Sequence, residues 1–198
     1  MIFLQKKKNS LPLLTERAPD NRKILLHICC APCGSSSIER LLHEKNEVTL
    51  FFSNSNIFPE EEFQKRLYYA EKLANFYQIA LIRDIYDHEA WRKMAIERRD
   101  SDLENEPEGG KRCFECFKFN LERTAQKAKQ LSIPAFTTTL TVSPHKNSAQ
   151  IFEAGKNFPE FREYDFKKQN GFLRSVELSK KLDLYRQTYC GCEFSQKS

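Results

Sequence analysis

The sequence predicts an α/β protein: an open, mostly parallel sheet with flanking helices, plus a helical C-terminal part. Three observations carry this. Short apolar runs bounded by turn residues read as strands buried on both faces, as parallel strands are. Between them stand segments with apolar residues every three to four positions, the spacing of amphipathic helices. The two kinds alternate from residue 24 to residue 86, and that alternation is what a parallel sheet requires.

Residues 1–20 hold Lys6, Lys7, Lys8, Pro12 and Pro19 and little periodicity. They read as an N-terminal arm, and residues 21–198 as a single α/β domain. Ile24 to Cys30 (ILLHICC) is the first strand. Pro32 and Gly34 break it, and Ser35 to His43 form a helix. Val48 to Asn54 is the second strand. Residues 60–77 place Phe63, Leu67, Ala70, Leu73, Ala74 and Tyr77 on one helical face. Glu60, Glu61 and Glu62 sit at the N-terminal end, where the helix dipole favours acids. Ile79 to Tyr86 is the third strand. Residues 87–100 read as helix around Trp91. Residues 101–112 (SDLENEPEGGKR) read as a mobile loop leading into a site. A strong helix runs from Cys113 to Leu131. Ala135 to Leu140 is the fourth strand. Ser143-Pro144 starts a further helix, with Pro in its first turn. Phe161 to Phe166 is a candidate fifth strand. The last segment is basic and aromatic and ends in Tyr189-Cys190-Gly191-Cys192.

The chain has 198 residues, 40% hydrophobic and 30% charged. This is enough for one domain with a proper core, and argues against disorder. The formal net charge of +5 permits a nucleic-acid partner without requiring one. No stretch approaches the ~20 apolar residues of a membrane span. The charges in MIFLQKKKNSLPLL are misplaced for a signal peptide. The expected setting is cytoplasmic, with no membrane. There, seven cysteines point to metal or redox chemistry rather than a disulfide framework.

The cysteines fall in three groups. Cys29, Cys30 and Cys33 follow a strand and precede a helix, where open α/β sheets bind ligands. Adjacent strand residues point to opposite faces, so Cys29 and Cys30 share one centre only if the chain bends between them. Cys113 and Cys116 have hook spacing at a helix start, whose positive end should draw them towards thiolate. Two such pairs make a four-sulfur site, which selects Zn²⁺ or an iron–sulfur cluster. Zinc ribbons space their hooks by about 15–20 residues. Here the hooks lie far apart, which favours a cluster in a larger site. A disulfide between Cys190 and Cys192 would close a very small, strained ring, suited to relay rather than stapling. Two other readings stand beside these. Cys30-Ala31-Pro32-Cys33 has the form of a thioredoxin-like redox pair, and any single buried Cys can be a small hydrophobe. His27 is either a core histidine or a hydrogen-bond partner of a cluster sulfur.

The blocks HICCAPCGSS, RCFECFKFNLERTAQKA, FTTTLTVSPHKN, YDFKKQNG and LYRQTYCGCEFS occur in order from about residue 23 to 195. Together they resemble the QueH type of epoxyqueuosine reductase. The resemblance implies a PP-loop/HUP-like, Rossmann-type fold. It implies a cytoplasmic oxidoreductase of tRNA processing that needs no cobalamin. Its partners would be a tRNA carrying epoxyqueuosine at the wobble position and an electron donor of unidentified kind. The epoxide would be reduced with two electrons and two protons, releasing water and leaving the cyclopentene diol of queuosine. Carried over by motif, Cys29, Cys30, Cys113 and Cys116 correspond to ligands of a [4Fe–4S] cluster, and Cys190 and Cys192 to a redox-active disulfide pair. The family also implies an additional iron ion, for which Cys33 is the candidate ligand.

Acid candidates for the departing oxygen are Asp165, His145, Tyr185 and Tyr189. Lys146, Lys167, Lys168, Arg174 and Arg186 are candidates for phosphate contacts. Two alternative functions are set against this one. An ATP-dependent PP-loop tRNA thiolase with a cluster wants an SGGxDS-like loop; CCAPCGSS has one glycine and no following aspartate. A zinc-stabilised RNA-binding module predicts a colourless protein without redox activity.

Overall fold

The computed structural model describes residues 22–95 and 103–196. The N-terminal arm and the second half of the helix expected over 87–100 lie outside the described residues. Four strands form one all-parallel sheet: β1 (Lys23–His27), β2 (Glu47–Phe52), β3 (Leu81–Arg83) and β4 (Phe136–Thr138), in the order β3-β2-β1-β4. Among the described residues six α-helices accompany them: α1 (Ala31–His43), α2 (Glu60–Tyr77), α3 (His88–Ala95), α4 (Lys111–Gln130), α5 (Ser148–Gly155) and α6 (Gly171–Lys181). No helix among the described residues is long and apolar enough to cross a membrane.

Strand periodicity sorts the core into two layers. Ile24 and Leu26 of β1 pack with Ile38 and Leu41 of α1 and Phe63, Leu67 and Leu73 of α2. Leu25, between them in sequence, faces the other way and packs with Leu121 and Ala128 of α4 and Ile151 of α5. Helices therefore cover both faces, and α6 packs outside α1.

The boundary of α2 matches the reading from spacing. Three acids open it, and Gln78, with φ +56°, closes it in the left-handed conformation. Other elements differ. Helix α1 begins at Ala31, four residues before the expected start. Pro32 fits a first turn because its missing N–H has no helical partner there. Ser143-Pro144 does not start a helix. The preceding residues Thr139–Val142 form a 3₁₀ turn. Helix α5 starts at Ser148, where Asn147 Oδ1 accepts from the Ala149 amide at 2.9 Å. Phe161 pairs with Phe136 only as an isolated bridge, not as a fifth strand. The acidic loop before α4 is pinned: Leu103–Asn105 make a 3₁₀ turn, and buried Arg112 donates to the carbonyls of Leu103 and Glu104 at 3.0 and 2.9 Å.

His27 is wholly buried. Its Nε2 meets the Ser53 carbonyl at 2.9 Å and its Nδ1 the Thr138 hydroxyl at 2.8 Å. The carbonyl can only accept, so Nε2 carries the proton. Thr138 Oγ1 accepts from the Leu140 amide, leaving its own hydrogen for Nδ1. Burial, the largest influence, lowers the histidine pKa to about 4. His27 is thus a satisfied core histidine joining β1, β2 and β4.

Candidate metal centre and its cavity

The switch in strand order falls beside β1, whose successors lie on both sides of it. Open α/β sheets place ligands beyond the carboxyl ends of strands at that point. The loops after β1 and β4 meet there around an open cavity of about 990 Å³.

The chain leaves β1 at His27 and enters α1 through extended Cys30. Strand alternation therefore no longer applies at Cys29 and Cys30. Their sulfurs lie 3.9 Å apart, and the Sγ atoms of Cys29, Cys30 and Cys33 all lie within 4.8 Å of one another. The bend that one shared centre demands is present. The Thr139 hydroxyl approaches Cys29 Sγ at 3.3 Å. Cys30 is drawn well below the usual thiol range, because Cys29, Cys33 and Gln187 all point hydrogen bonds at its sulfur. Cys29, which donates to Cys30, is pushed up to about 12, and Cys33 is raised as well.

Cys113 and Cys116 stand at the start of α4. The Gly109 amide donates to Cys113 Sγ at 3.2 Å, and Asn120 Nδ2 approaches Cys116 Sγ at 3.8 Å. Both thiols are raised, foremost by burial and then by the neighbouring Cys190. The downward shift expected from the helix start is not seen: desolvation outweighs the Gly109 amide bond at Cys113 and raises Cys116 as well. Cys29, Cys33, Cys116 and Cys190 line the large cavity. Cys113, Cys116, Cys190 and Cys192 line a smaller adjoining pocket of about 140 Å³. All seven sulfurs are free thiols.

The Cys190–Cys192 loop is clamped by buried Arg66 on α2. Arg66 Nη1 donates to the Cys190 carbonyl at 2.9 Å, and Nε donates to Glu62 at 2.6 Å. The Phe58 amide donates to the Gly191 carbonyl at 2.8 Å. Gly191 has φ +116°, and a Cβ there would sit 2.8 Å from both Arg66 Nη atoms. Only glycine lets the guanidinium lie against this peptide. Lys146 Nζ lies 3.4 Å from Cys190 Sγ. The Lys146 ammonium is held above its ordinary range, the adjacent Cys190 sulfur being the largest cause and burial opposing it.

Of the acid candidates, His145 and Tyr189 line the cavity. The Tyr185 hydroxyl is taken by Glu62 at 3.1 Å. Asp165 is not part of the lining, and its Oδ1 accepts from Ser148 at 2.9 Å. Spacing and motifs passed over Arg66, Asn120 and Gln187. Arg66 did leave a signal: it is a charge on the apolar stripe of α2, between Phe63 and Leu67.

The family model described as "Epoxyqueuosine reductase QueH" matches residues 24–198. Similar curated proteins carry the same name. One from Streptococcus pyogenes serotype M1 is 39% identical over 180 residues, covering 88% of this chain and 70% of its own. One from Thermotoga maritima is 39% identical over 178 residues, covering 87% and 89%. One from Acinetobacter baylyi is 36% identical over 193 residues, covering 94% and 86%. A match of this extent, running through all three cysteine groups, means that the chain belongs to the QueH family of epoxyqueuosine reductases.

Proposed function

We propose that the cavity is the active site of a cytoplasmic epoxyqueuosine reductase acting on tRNA. The observation that carries this is the convergence of thiols from three distant segments on one pair of adjoining cavities. The relatives support neither the thiolase nor the zinc-module reading.

The donor set suits an iron–sulfur centre: soft sulfurs, three of them within 4.8 Å of one another, with the Cys113 and Cys116 hook on the wall of the adjoining pocket. Cys29, Cys30, Cys113 and Cys116 would hold a [4Fe–4S] cluster, and Cys33 an additional iron. Bound there, a cluster would pass electrons one at a time.

The chain's own groups do the rest. Cys190 and Cys192 as dithiol can give two electrons and two protons on forming their disulfide. This balances the conversion of an epoxide to an alkene and water. Arg66 holds the pair's backbone at the cavity wall. Lys146 keeps a proton on Nζ beside Cys190 and is better placed than Asp165 to serve the departing oxygen.

The test is anaerobic turnover of tRNA containing epoxyqueuosine, read as loss of one oxygen from the nucleoside. Iron-loaded protein should be brown, bleach on reduction and form queuosine. A colourless, zinc-loaded protein that leaves the epoxide intact would refute the assignment.

A further inference from the structure

We propose that Phe172, Arg186 and the first turn of α6 form a shelf for the RNA strand that flanks the reacting nucleotide. The proposal rests on the reductase reading above and adds a surface to it.

Phe172 and Arg186 both line the large cavity. The Arg186 guanidinium lies over the Phe172 ring, 5.2 Å from its centroid. Arg186 is exposed and Phe172 is half-buried. Leu173, the next residue, is 59% exposed and extends the apolar surface. Several arginines are neutralised by carboxylate partners: Arg66 with Glu62, Arg92 with Glu193, Arg123 with Asp84, Arg174 with Glu39; buried Arg112 is instead taken up by the carbonyls of Leu103 and Glu104. Arg186 has none among the described residues. Its charge therefore remains available to an anion from outside.

The end of α6 supports the same ligand. This helix of 11 residues has no acid in its first turn, and Asn170 makes no side-chain capping bond. A helix start of that kind favours phosphate. Ring and guanidinium sit together at one cavity wall, with Phe172 in the first turn of α6. The ring offers a face on which any base can stack, and the guanidinium a planar fork for a phosphate. A nucleotide inserted among the cysteines leaves its neighbours at the mouth, where this shelf lies. The occupant these features fit is single-stranded RNA. None of them reads a base edge, so the shelf should tolerate different flanking bases.

The experiment measures binding of a fluorescein-labelled anticodon stem–loop RNA to the iron-loaded full chain by anisotropy, over a series of salt concentrations. R186A should weaken binding about tenfold and lower the salt slope by about one. R186K should restore the slope. F172A should weaken binding about tenfold with the slope unchanged. K129E removes an exposed positive charge at the far end of α4 and should bind as wild type. Wild-type affinity in both R186A and F172A overturns the shelf while the reductase reading stands. So does a loss confined to electron delivery at unchanged RNA affinity, which would assign the surface to a protein donor. A wild-type chain that neither binds the RNA nor forms queuosine refutes the reductase reading, and the shelf with it.

Discussion

Acidification should destabilise this fold through His27, and the size of the effect follows from its surroundings. The ring is fully buried and neutral, with Nε2 donating to Ser53 and Nδ1 accepting from Thr138. A second proton would set an N–H against a hydroxyl whose oxygen already accepts from Leu140. Folding lowers the pKa from 6.5 to about 4. Above pH 6.5 both states are neutral and no penalty exists. Between 6.5 and 4 the unfolded chain binds a proton that the folded chain refuses, so stability falls as pH falls. At ~1.4 kcal/mol per unit, the full loss is about 3 kcal/mol. Urea unfolding of iron-loaded wild type and His27→Gln, at points from neutral pH down to about 4, isolates the term. Acid effects on the metal centre are common to both proteins and cancel. The variant should begin less stable but show the shallower dependence. Parallel curves for the two proteins would refute the argument.

Cys116→Ser should lose most of its bound iron and its colour, whereas Cys33→Ser should lose only the additional iron; iron per chain and the visible spectrum report both. Gly191→Ala should keep its iron yet turn over slowly, because the new Cβ pushes Arg66 from the Cys190 carbonyl and strains the backbone by ~1–3 kcal/mol. Unchanged turnover beside normal iron content would count against the clamp. Arg123→Met removes two bonds to Asp84, at 2.6 and 2.9 Å. The arginine is partly exposed, so the loss should be about 1–2 kcal/mol, measurable in a thermal melt.

Local periodicity was sufficient for α2, whose acids and apolar stripe define both ends, and it placed β1, β2 and β4, though β1 stops at His27 and β4 at Thr138, short of the apolar runs that announced them. It overextended β3 and promoted Phe161 to a strand, because an apolar aromatic segment looks the same whether it pairs along its length or at one residue. Ser143-Pro144 misled because proline fits a turn as well as a helix start, and Asn147 supplied the stronger cap. The cysteines were legible as motifs because their spacing is itself the signal. Arg66 and Gln187 were not. Arg66 acquires its role only when α2 meets the C-terminal loop, and Gln187 only when that loop meets the start of α1, each across more than a hundred residues. The direction of the Cys113 and Cys116 shifts was missed for a related reason: burial is a property of the assembled fold, not of a helix end.

The all-parallel strand order constrains how a loaded molecule can be made. Parallel neighbours cannot zip through tight hairpins, so β4 must wait for α4 to be synthesised and laid across the sheet before it joins β1. The trio at 29–33 and the hook at 113–116 therefore come to face one cavity only once α4 has docked. The cavity is thus a product of the whole parallel topology, and a variant that keeps α4 from docking should lose it even with every cysteine in place.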